Sequence, residues 1–203
     1  MKKMKSNPIS NELGKMTAEQ AAARLLGCEL IRTGLNGTVC KGKIVETEAY
    51  AQDDIASHSF NGQTMRNKVM FGPAGFAYVY FTYGMHYCLN VSCSQPGIGA
   101  AVLIRALEPT SGIEQMARLR KAKKKLSVNN LLSGPAKLTQ ALLIDKTLNG
   151  HDLNKPPLKL KLNTPLASEE IVWACRIGLS QPDARNRLLR ACVKNSTFLS
   201  RPL

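Results

Sequence analysis

The chain is short of acidic residues, of aromatic residues and of long apolar runs. Its 203 residues include 14 Asp and Glu against 28 Lys and Arg, which gives a formal net charge of +14. An excess of this size favours a polyanionic partner, because each neutralised phosphate releases counterions. No apolar run reaches the ~20 residues that a membrane-spanning helix needs. The basic residues 1–5 precede a polar segment, so no secretory signal is predicted.

The six cysteines contain no C-x-x-C pair and form no cluster with histidine. Most of them lie in apolar, strand-like runs, as Cys88 does between Tyr87 and Leu89. This usage indicates reduced thiols in the core of a protein from a reducing compartment. No zinc-ligand spacing occurs, and we predict neither a metal site nor a cofactor.

Local signals predict an α+β fold. Capping-box patterns begin two predicted helices, at Thr17 and at Ser111, and Pro135 begins a third. These helices cover residues 18–26, a basic segment from 111 to 125, and 136–143. The predicted strands cover residues 28–33, 38–50, 76–83, 87–93, 100–107, 169–179 and 188–199. Gly99 and Pro109 are expected to bound the strand over 100–107. The predicted connections are a hairpin at 34–37, a polar loop over 51–66 and an irregular segment over 145–165.

The predicted elements amount to one domain over residues 16–203, after a flexible basic tail over residues 1–15. We expect a mostly antiparallel curved β-sheet surrounded by helices, with a protruding β-hairpin. The tip of this hairpin is expected at residues 83–86.

Two acidic residues share one face of the strand predicted over 38–50. Alternate side chains of a strand point the same way, so Glu46, Glu48 and Tyr50 lie together. Adjacent carboxylates are costly unless a cation, a donor or water serves them. One interpretation is a solvated edge with salt bridges; the other is a general base, because Tyr50 and the nearby His58 add a ring and an imidazole. The spacing does not choose between the two glutamates.

All five tyrosines lie within residues 44–90. Tyr78 and Tyr80 share a strand face, either as core residues or as walls of a pocket. Tyr83 is expected at the hairpin tip beside Met85, either as an ordinary turn residue or as a wedge between stacked bases. Flat rings on a basic chain fit a nucleobase ligand on a phosphate backbone best.

Arg105 is the only charged residue of the apolar run over 100–107. A buried arginine needs an acidic partner. We therefore expect Arg105 to contact the pair formed by Glu46 and Glu48.

The basic residues of 118–125 form either a solvated helix face or part of a DNA surface. In the second case they follow a phosphate backbone together with Arg66, Lys68 and Lys137. Lys137 lies near the start of a predicted helix, where backbone N–H groups also favour anions.

The motifs above resemble the alkyladenine (3-methyladenine) DNA glycosylase family. The resemblance covers roughly residues 17–180, in order and with compatible gaps. Its motifs are Ile44-Val45-Glu46-Thr47-Glu48-Ala49-Tyr50, His58, Arg66-Asn67, Tyr78-Val79-Tyr80, Tyr83-Gly84-Met85, Asn90, Arg105-Ala106-Leu107-Glu108-Pro109 and Ser133-Gly134-Pro135-Ala136-Lys137-Leu138.

The resemblance implies a monofunctional enzyme that excises alkylated purines from duplex DNA, with no cofactor and no strand cleavage. By position, Glu48 is the implied general base, and Arg105 is implied to hold this carboxylate and the attacking water. Tyr50, His58 and Tyr80 are the implied walls of the base pocket. The target base must leave the helical stack to reach such a pocket.

Further roles follow from the same resemblance. Asn90 is implied at the pocket floor, where it disfavours a purine with a 2-amino group. Tyr83 is the implied wedge, with Met85 beside it on the intercalating hairpin, whereas Arg66 and Lys137 are expected on the DNA backbone. The expected protein is a monomer of bacterial type, without a membrane partner, that works in the cytoplasm at the nucleoid.

Two other interpretations stay open. A non-catalytic DNA-bending or lesion-sensing module would use Tyr83 and the basic face alone, and would gain nothing from a carboxylate beside the pocket. An RNA-modifying enzyme is the third interpretation.

The segment 189–196 departs from the family pattern, because Ala191, Cys192 and Asn195 stand where aromatics and a glycine are usual.

Overall fold

The computed structural model describes residues 7–82, 84–121 and 126–203. Its strands are Glu29–Leu35 (β1), Thr38–Tyr50 (β2), Ala77–Thr82 (β3), His86–Ser92 (β4), Ala101–Ser111 (β5), Leu158–Lys161 (β6), Ile171–Ala174 (β7) and Arg190–Val193 (β8). Its α-helices are Pro8–Leu13 (α1), Ala18–Leu25 (α2), Ile113–Leu119 (α3), Pro135–Ala141 (α4) and Pro182–Arg185 (α5). Short 3-10 helices cover Lys68–Phe71, Val128–Asn130, Lys146–Leu148 and Ser168–Glu170.

The strands form one sheet with the order β3-β4-β5-β2-β1-β6. β8 pairs with β2 beyond the end of β1, and β7 pairs with β8. All of these pairings are antiparallel. The predicted α+β fold with a mostly antiparallel sheet is therefore confirmed.

β2 is the central strand because both of its edges are paired. β5 pairs with one edge, and β1 followed by β8 pairs with the other. The β1–β2 hairpin turns at Asn36 and Gly37, whose φ angles of 51° and 79° suit a tight two-residue turn. Residues 44–49 of β2 are all buried, and Glu46 and Glu48 are among them. Pairing along both edges of β2 fixes the positions of these two glutamates.

Helix α2 covers the sheet beside the acidic part of β2. The predicted capping box is confirmed, because Thr17 Oγ1 accepts from the Gln20 amide and the Gln20 side chain accepts from the Thr17 amide. The small buried residues Ala21 and Ala22 let the helix approach β2 closely. Thr47 Oγ1 donates to the Ala22 carbonyl at 2.9 Å. The glutamates on either side of Thr47 point to the opposite face of the strand.

Part of the segment that we expected to be a flexible tail, residues 1–15, is helical. Residues 8–13 form α1, which Asn7 caps by accepting a hydrogen bond from the Ser10 amide at 2.9 Å. Ile9 and Leu13 are buried, and burial of these apolar side chains orders the segment. The remaining part of the expected tail, residues 1–6, lies outside the described residues.

Strand β5 continues past the proline that we expected to end it. Pro109 lies opposite Gly42 at an irregularity of the register, where a missing N–H is tolerated. The capping box predicted at Ser111 is wrong. Helix α3 begins after Gly112, which has a φ of 77° and makes no side-chain cap. The predicted extension of this helix over 122–125 lies outside the described residues.

The last third of the chain differs most from the prediction. β6 lies in the segment that we expected to be irregular; it alternates buried Leu158 and Leu160 with exposed lysines and pairs with β1. The late strands are shorter than 169–179 and 188–199, because β7 and β8 pair over only four residues.

Five of the six cysteines are buried free thiols, as predicted for core residues. Cys175 is exposed, because it directly follows the end of β7. Within residues 7–82, 84–121 and 126–203, no helix combines the length and the hydropathy that crossing a membrane requires.

Candidate active site

A cavity of about 250 Å³ opens beside the centre of the sheet. Strands β2, β3, β4 and β5 supply most of its wall, and the segment 177–179 after β7 closes one side. The volume lies just below the ~300–1,000 Å³ of pockets for drug-sized ligands, and so suits a small flat ligand. The titratable or polar lining residues are Glu48, Tyr50, His58, Arg66, Tyr78, Tyr80, Thr82, Cys88, Asn90 and Arg105.

Glu48 is a fully buried carboxylate in the wall of this cavity. Its Oε2 accepts a hydrogen bond from the Tyr50 hydroxyl at 2.8 Å. Its Oε1 accepts from the backbone amide of Ile177 at 2.8 Å and lies 3.2 Å from Arg105 Nη1. A carboxylate has about four acceptor positions, so these three donors leave about one position for a water molecule.

Glu46 is also fully buried, but its acceptor positions are filled by protein groups. Oε1 accepts from Arg105 Nε at 3.3 Å, from Arg190 Nη1 at 3.0 Å and from Ser200 Oγ at 2.8 Å. Oε2 accepts from the Ser200 amide at 2.6 Å. Glu46 is not among the residues that line the cavity. The two glutamates, which the spacing could not separate, thus have different surroundings.

Arg105 joins the two carboxylates, as the sequence predicted. It contacts Glu46 through Nε and Glu48 through Nη1. Burial lowers the pKa of Arg105, but Glu48 and Glu46 together outweigh this effect and raise it above its ordinary value. Arg105 and Arg190 therefore balance the charges of the two glutamates in the interior.

Three further rings line the cavity, those of His58, Tyr78 and Tyr80. The Tyr78 and Tyr80 rings are tilted against each other, with centroids 5.5 Å apart. The His58 ring meets Tyr80 edge-on at 4.5 Å, and His58 Nδ1 lies 2.8 Å from the Tyr78 hydroxyl. Tyr78, for which a core role and a pocket role were both open, lines the cavity although it is almost fully buried.

Arg66 approaches these rings. Its guanidinium carbon lies 5.8 Å from the Tyr80 ring centroid, and Arg66 also lines the cavity. Partial burial, followed by the positive charge of Arg66, lowers the pKa of His58 from its ordinary value. His58 is therefore neutral at pH 7.

Tyr50 lies between Glu48 and a second buried cation. The guanidinium carbon of Arg176 is 4.6 Å from the Tyr50 ring centroid. Burial, followed by the charge of Glu48 and the hydrogen bond to it, raises the pKa of the Tyr50 hydroxyl. Tyr50 therefore stays protonated and donates a hydrogen bond to the carboxylate.

Asn90 and Cys88 form the side of the cavity that β4 contributes. The Asn90 amide group donates to the carbonyl of Tyr78 at 3.1 Å, which fixes its orientation. Burial raises the pKa of the Cys88 thiol. Both residues line the cavity next to the tyrosines of β3, with which β4 pairs.

The β3–β4 hairpin ends in exposed residues. The Met85 residue is 70% exposed, and Phe81 is 49% exposed. Tyr83, the predicted wedge, lies outside the described residues.

Lys137 lies on α4, apart from the cavity, although Pro135 of the same helix lines it. Its Nζ donates to the side chains of Asn130 and Ser133. Burial, followed by the charge of Arg120, lowers the pKa of Lys137.

Sequence reasoning missed three groups that serve the glutamates. They are the Ile177 amide, Arg190 and Ser200. Arg190 could have been found by the argument used for Arg105, because it is a lone charge in the apolar run Leu189-Arg190-Ala191-Cys192-Val193. The segment 189–196, which we expected to depart from the family pattern, supplies Arg190 as a buried partner of Glu46.

In the described parts of the chain, no group of three or more His, Cys, Asp or Glu side chains comes together in a way that could hold a metal ion. The cavity instead combines one partly free carboxylate with aromatic rings.

Comparisons with known proteins agree with this chemistry. The model of the methylpurine-DNA glycosylase family matches residues 12–197. A protein of Carboxydothermus hydrogenoformans is 51% identical over 181 residues, which cover 89% of this chain and 92% of that protein. One of Francisella tularensis subsp. tularensis is 48% identical over 184 residues, and one of Methanoculleus marisnigri is 46% identical over 183, each with the same two coverages.

These three relatives carry a provisional name, 3-methyladenine DNA glycosylase. The predicted family resemblance is confirmed, since the family model spans almost the whole chain and the relatives are far above 30% identity. The chain belongs to the methylpurine-DNA glycosylase family.

Proposed function

We propose that the protein is a monofunctional DNA glycosylase of base excision repair, which excises 3-methyladenine and related alkylated purines from duplex DNA. One observation carries the proposal: a buried carboxylate with about one free acceptor position stands in the wall of a ring-lined cavity. Membership of the methylpurine-DNA glycosylase family supports the same activity.

In this proposal Glu48 is the general base. Its free acceptor position holds a water molecule, which it deprotonates as the sugar becomes oxocarbenium-like. Arg105, 3.2 Å from Oε1, orients the carboxylate and balances its charge. Glu46 is unsuited to this role, because four protein donors already occupy it.

The aromatic wall selects for a cationic base. Alkylation at N3 or N7 gives the purine a positive charge, and a desolvated cation over tyrosine gains ~1–2 kcal/mol. Tyr50 and Tyr80 would stack on such a ring, with His58 at the rim. Neutral His58 does not repel the cation, which agrees with its lowered pKa. Asn90 would oppose a 2-amino group at the cavity floor.

The charged leaving group also explains why one carboxylate is enough. Glycosidases use a second, protonated carboxyl group for a poor leaving group, whereas a cationic purine departs without protonation. The nucleophile in this mechanism is water and not a lysine amine, so the reaction ends at an abasic site without strand cleavage.

The proposal further includes the contacts with DNA. Met85, exposed at the hairpin tip, and Tyr83 would fill the gap left by the extruded nucleotide. Arg66 and Lys137 would contact phosphates. We propose that the protein acts as a monomer on DNA in the cytoplasm, at the nucleoid.

The test is a base-release assay on duplex oligonucleotides that each carry one damaged purine. The unmodified protein should release 3-methyladenine, and Glu48→Gln should reduce the rate by ~10²–10⁴-fold, the usual contribution of a general base. Binding of damaged DNA without release would favour a lesion-sensing module. Release only from an RNA duplex of the same sequence would favour an RNA-modifying enzyme.

A further inference from the structure

We propose that Arg176, held by Asp54, is a positioning residue that keeps the two neutral hydrogen-bond donors of Glu48 in place. Neither residue lines the cavity, so they act through other groups and do not contact the substrate. The inference rests on the proposed function, because it concerns the carboxylate to which that function assigns the chemistry.

Arg176 is almost fully buried behind the wall of the cavity, at 3% exposure. Its Nη1 donates to the carbonyl of Ala49 at 3.0 Å and to the Asp54 carboxylate, and its Nη2 donates to the carbonyl of Ala184 at 3.4 Å. One guanidinium thus ties together β2, the loop after it and α5. A flat group with several donors in fixed positions is needed for such contacts.

The first donor of Glu48 depends on Arg176 through the chain. Ile177, which directly follows Arg176, gives its backbone amide to Glu48 Oε1 at 2.8 Å. The anchored side chain of Arg176 fixes the backbone at this point, so the amide stays directed at the carboxylate. A backbone donor that is fixed in advance costs no reorganisation during the reaction.

The second donor depends on Arg176 through stacking. The guanidinium covers one side of the Tyr50 ring, with its central carbon 4.6 Å from the ring centroid. The Tyr50 hydroxyl donates to Glu48 Oε2 at 2.8 Å. Each oxygen of the carboxylate therefore receives one neutral donor that Arg176 holds, whereas Arg105 supplies the charged contact independently.

Asp54 extends the same network to the loop that carries His58. Its Oδ1 accepts from the Ala56 amide at 3.0 Å, and Ala56 lines the cavity. Asp54 is 1% exposed and forms the ion pair with Arg176 on its other oxygen. Arg187 approaches Asp54 only to 3.9 Å and is 44% exposed.

A merely structural ion pair would affect folding without changing the rate of the chemical step in the folded protein. The two roles can be separated by Arg176→Lys, which keeps a cation next to Asp54 but loses the flat stack on Tyr50. Asp54→Asn is a second variant, since it keeps an acceptor for the Ala56 amide and removes the charge. Arg187→Lys is the matched control, because it changes arginine to lysine at the same carboxylate without touching Tyr50 or Ile177.

Single-turnover base release from duplex DNA with 3-methyladenine is measured for each variant over a range of protein concentrations in excess of DNA, with the thermal midpoint measured in parallel. The rate constant at saturating protein reports the chemical step, and the protein concentration at half-saturation reports DNA binding. Displaced donors of Glu48 should affect the rate constant alone, because Arg176 and Asp54 do not line the cavity.

We expect Arg176→Lys to fold and to react ~10–100-fold more slowly at saturating protein, as misplacement of a catalytic group predicts, with an unchanged half-saturation concentration. Asp54→Asn should lower the same rate constant, and Arg187→Lys should change neither quantity. Folded variants with the rate constant of the unmodified protein, or with weaker DNA binding alone, would overturn the inference, and so would unfolding of both variants at the Asp54–Arg176 pair. An inactive unmodified protein would instead refute the proposed function.

Discussion

The two glutamates of β2 offer a paired test, because replacing each by glutamine should have opposite consequences. Glu48→Gln should reduce the rate of base release by ~10²–10⁴-fold with little loss of stability. Glu46→Gln should leave a folded fraction that still releases base, but should lower the free energy of unfolding substantially. Both substitutions are isosteric, and the residues lie two positions apart in one strand.

The expected difference in stability follows from the donors around each carboxylate. A glutamine at 48 can turn its NH₂ toward the Tyr50 hydroxyl, which rotates to accept, and keeps its oxygen for Ile177 N and Arg105. A glutamine at 46 meets donors on both sides, so its NH₂ always faces another donor. It also leaves the buried Arg190 without a full negative charge.

Breaking a buried ion pair by removing one partner costs ~3–5 kcal/mol. For a protein of ~150–250 residues, 1 kcal/mol corresponds to a change of roughly 2–4 °C in Tm. Glu46→Gln should therefore lower Tm by about 6–20 °C by these two relations. Glu48→Gln should lower it by only a few degrees, since Arg105 keeps Glu46 as a partner.

Thermal unfolding followed by circular dichroism gives Tm, and single-turnover base release at a temperature below both midpoints gives the rate. Using excess protein over DNA removes any contribution of product release. A Glu46→Gln protein that keeps its Tm but loses activity, together with an active Glu48→Gln protein, would refute the assignment of roles.

Three further outcomes are expected. As pH falls through the lowered pKa of His58, the imidazole becomes charged and should weaken binding of a cationic purine but not of neutral hypoxanthine. Affinity measurements with His58→Gln should no longer show this difference between the two ligands. Gly112→Ala should lower the unfolding free energy more than Gly34→Ala in urea titrations. Both glycines have a positive φ, but only at Gly112 would an added Cβ meet the backbone of Cys40, at 2.9 Å. Under native conditions a thiol reagent should modify Cys175 first, and Cys175→Ser should remove the rapid phase.

Local features of the sequence were enough for the elements that local chemistry determines. The capping box at Thr17 and the Asn36-Gly37 turn each act within four residues, and both are present in the structure. Pro109 was misleading, because its effect on a strand depends on the partner strand, which has an irregularity at that point.

Residues that meet at the site could be predicted from the sequence, but the different surroundings of Glu46 and Glu48 could not. The face shared by Glu46, Glu48 and Tyr50 follows from the period of a strand. Hydrogen bonds from Ile177, Arg190 and Ser200 decide which glutamate keeps a free acceptor position. These three residues lie more than 120 positions away along the chain. Contacts at such separation leave no periodic pattern in the sequence.

The double-sided pairing of β2 has a consequence for how the cavity can move. Amide hydrogens around residues 46–48 lie between β5 and β8, so their exchange with deuterium requires the sheet itself to open. Past Ile177, whose amide is bound to Glu48, the cavity wall continues in Gly178 and Leu179, which lie outside the strands and can open locally. The protein thus combines a slowly exchanging chemical centre with a short stretch of wall that can adjust to ligands of different outline.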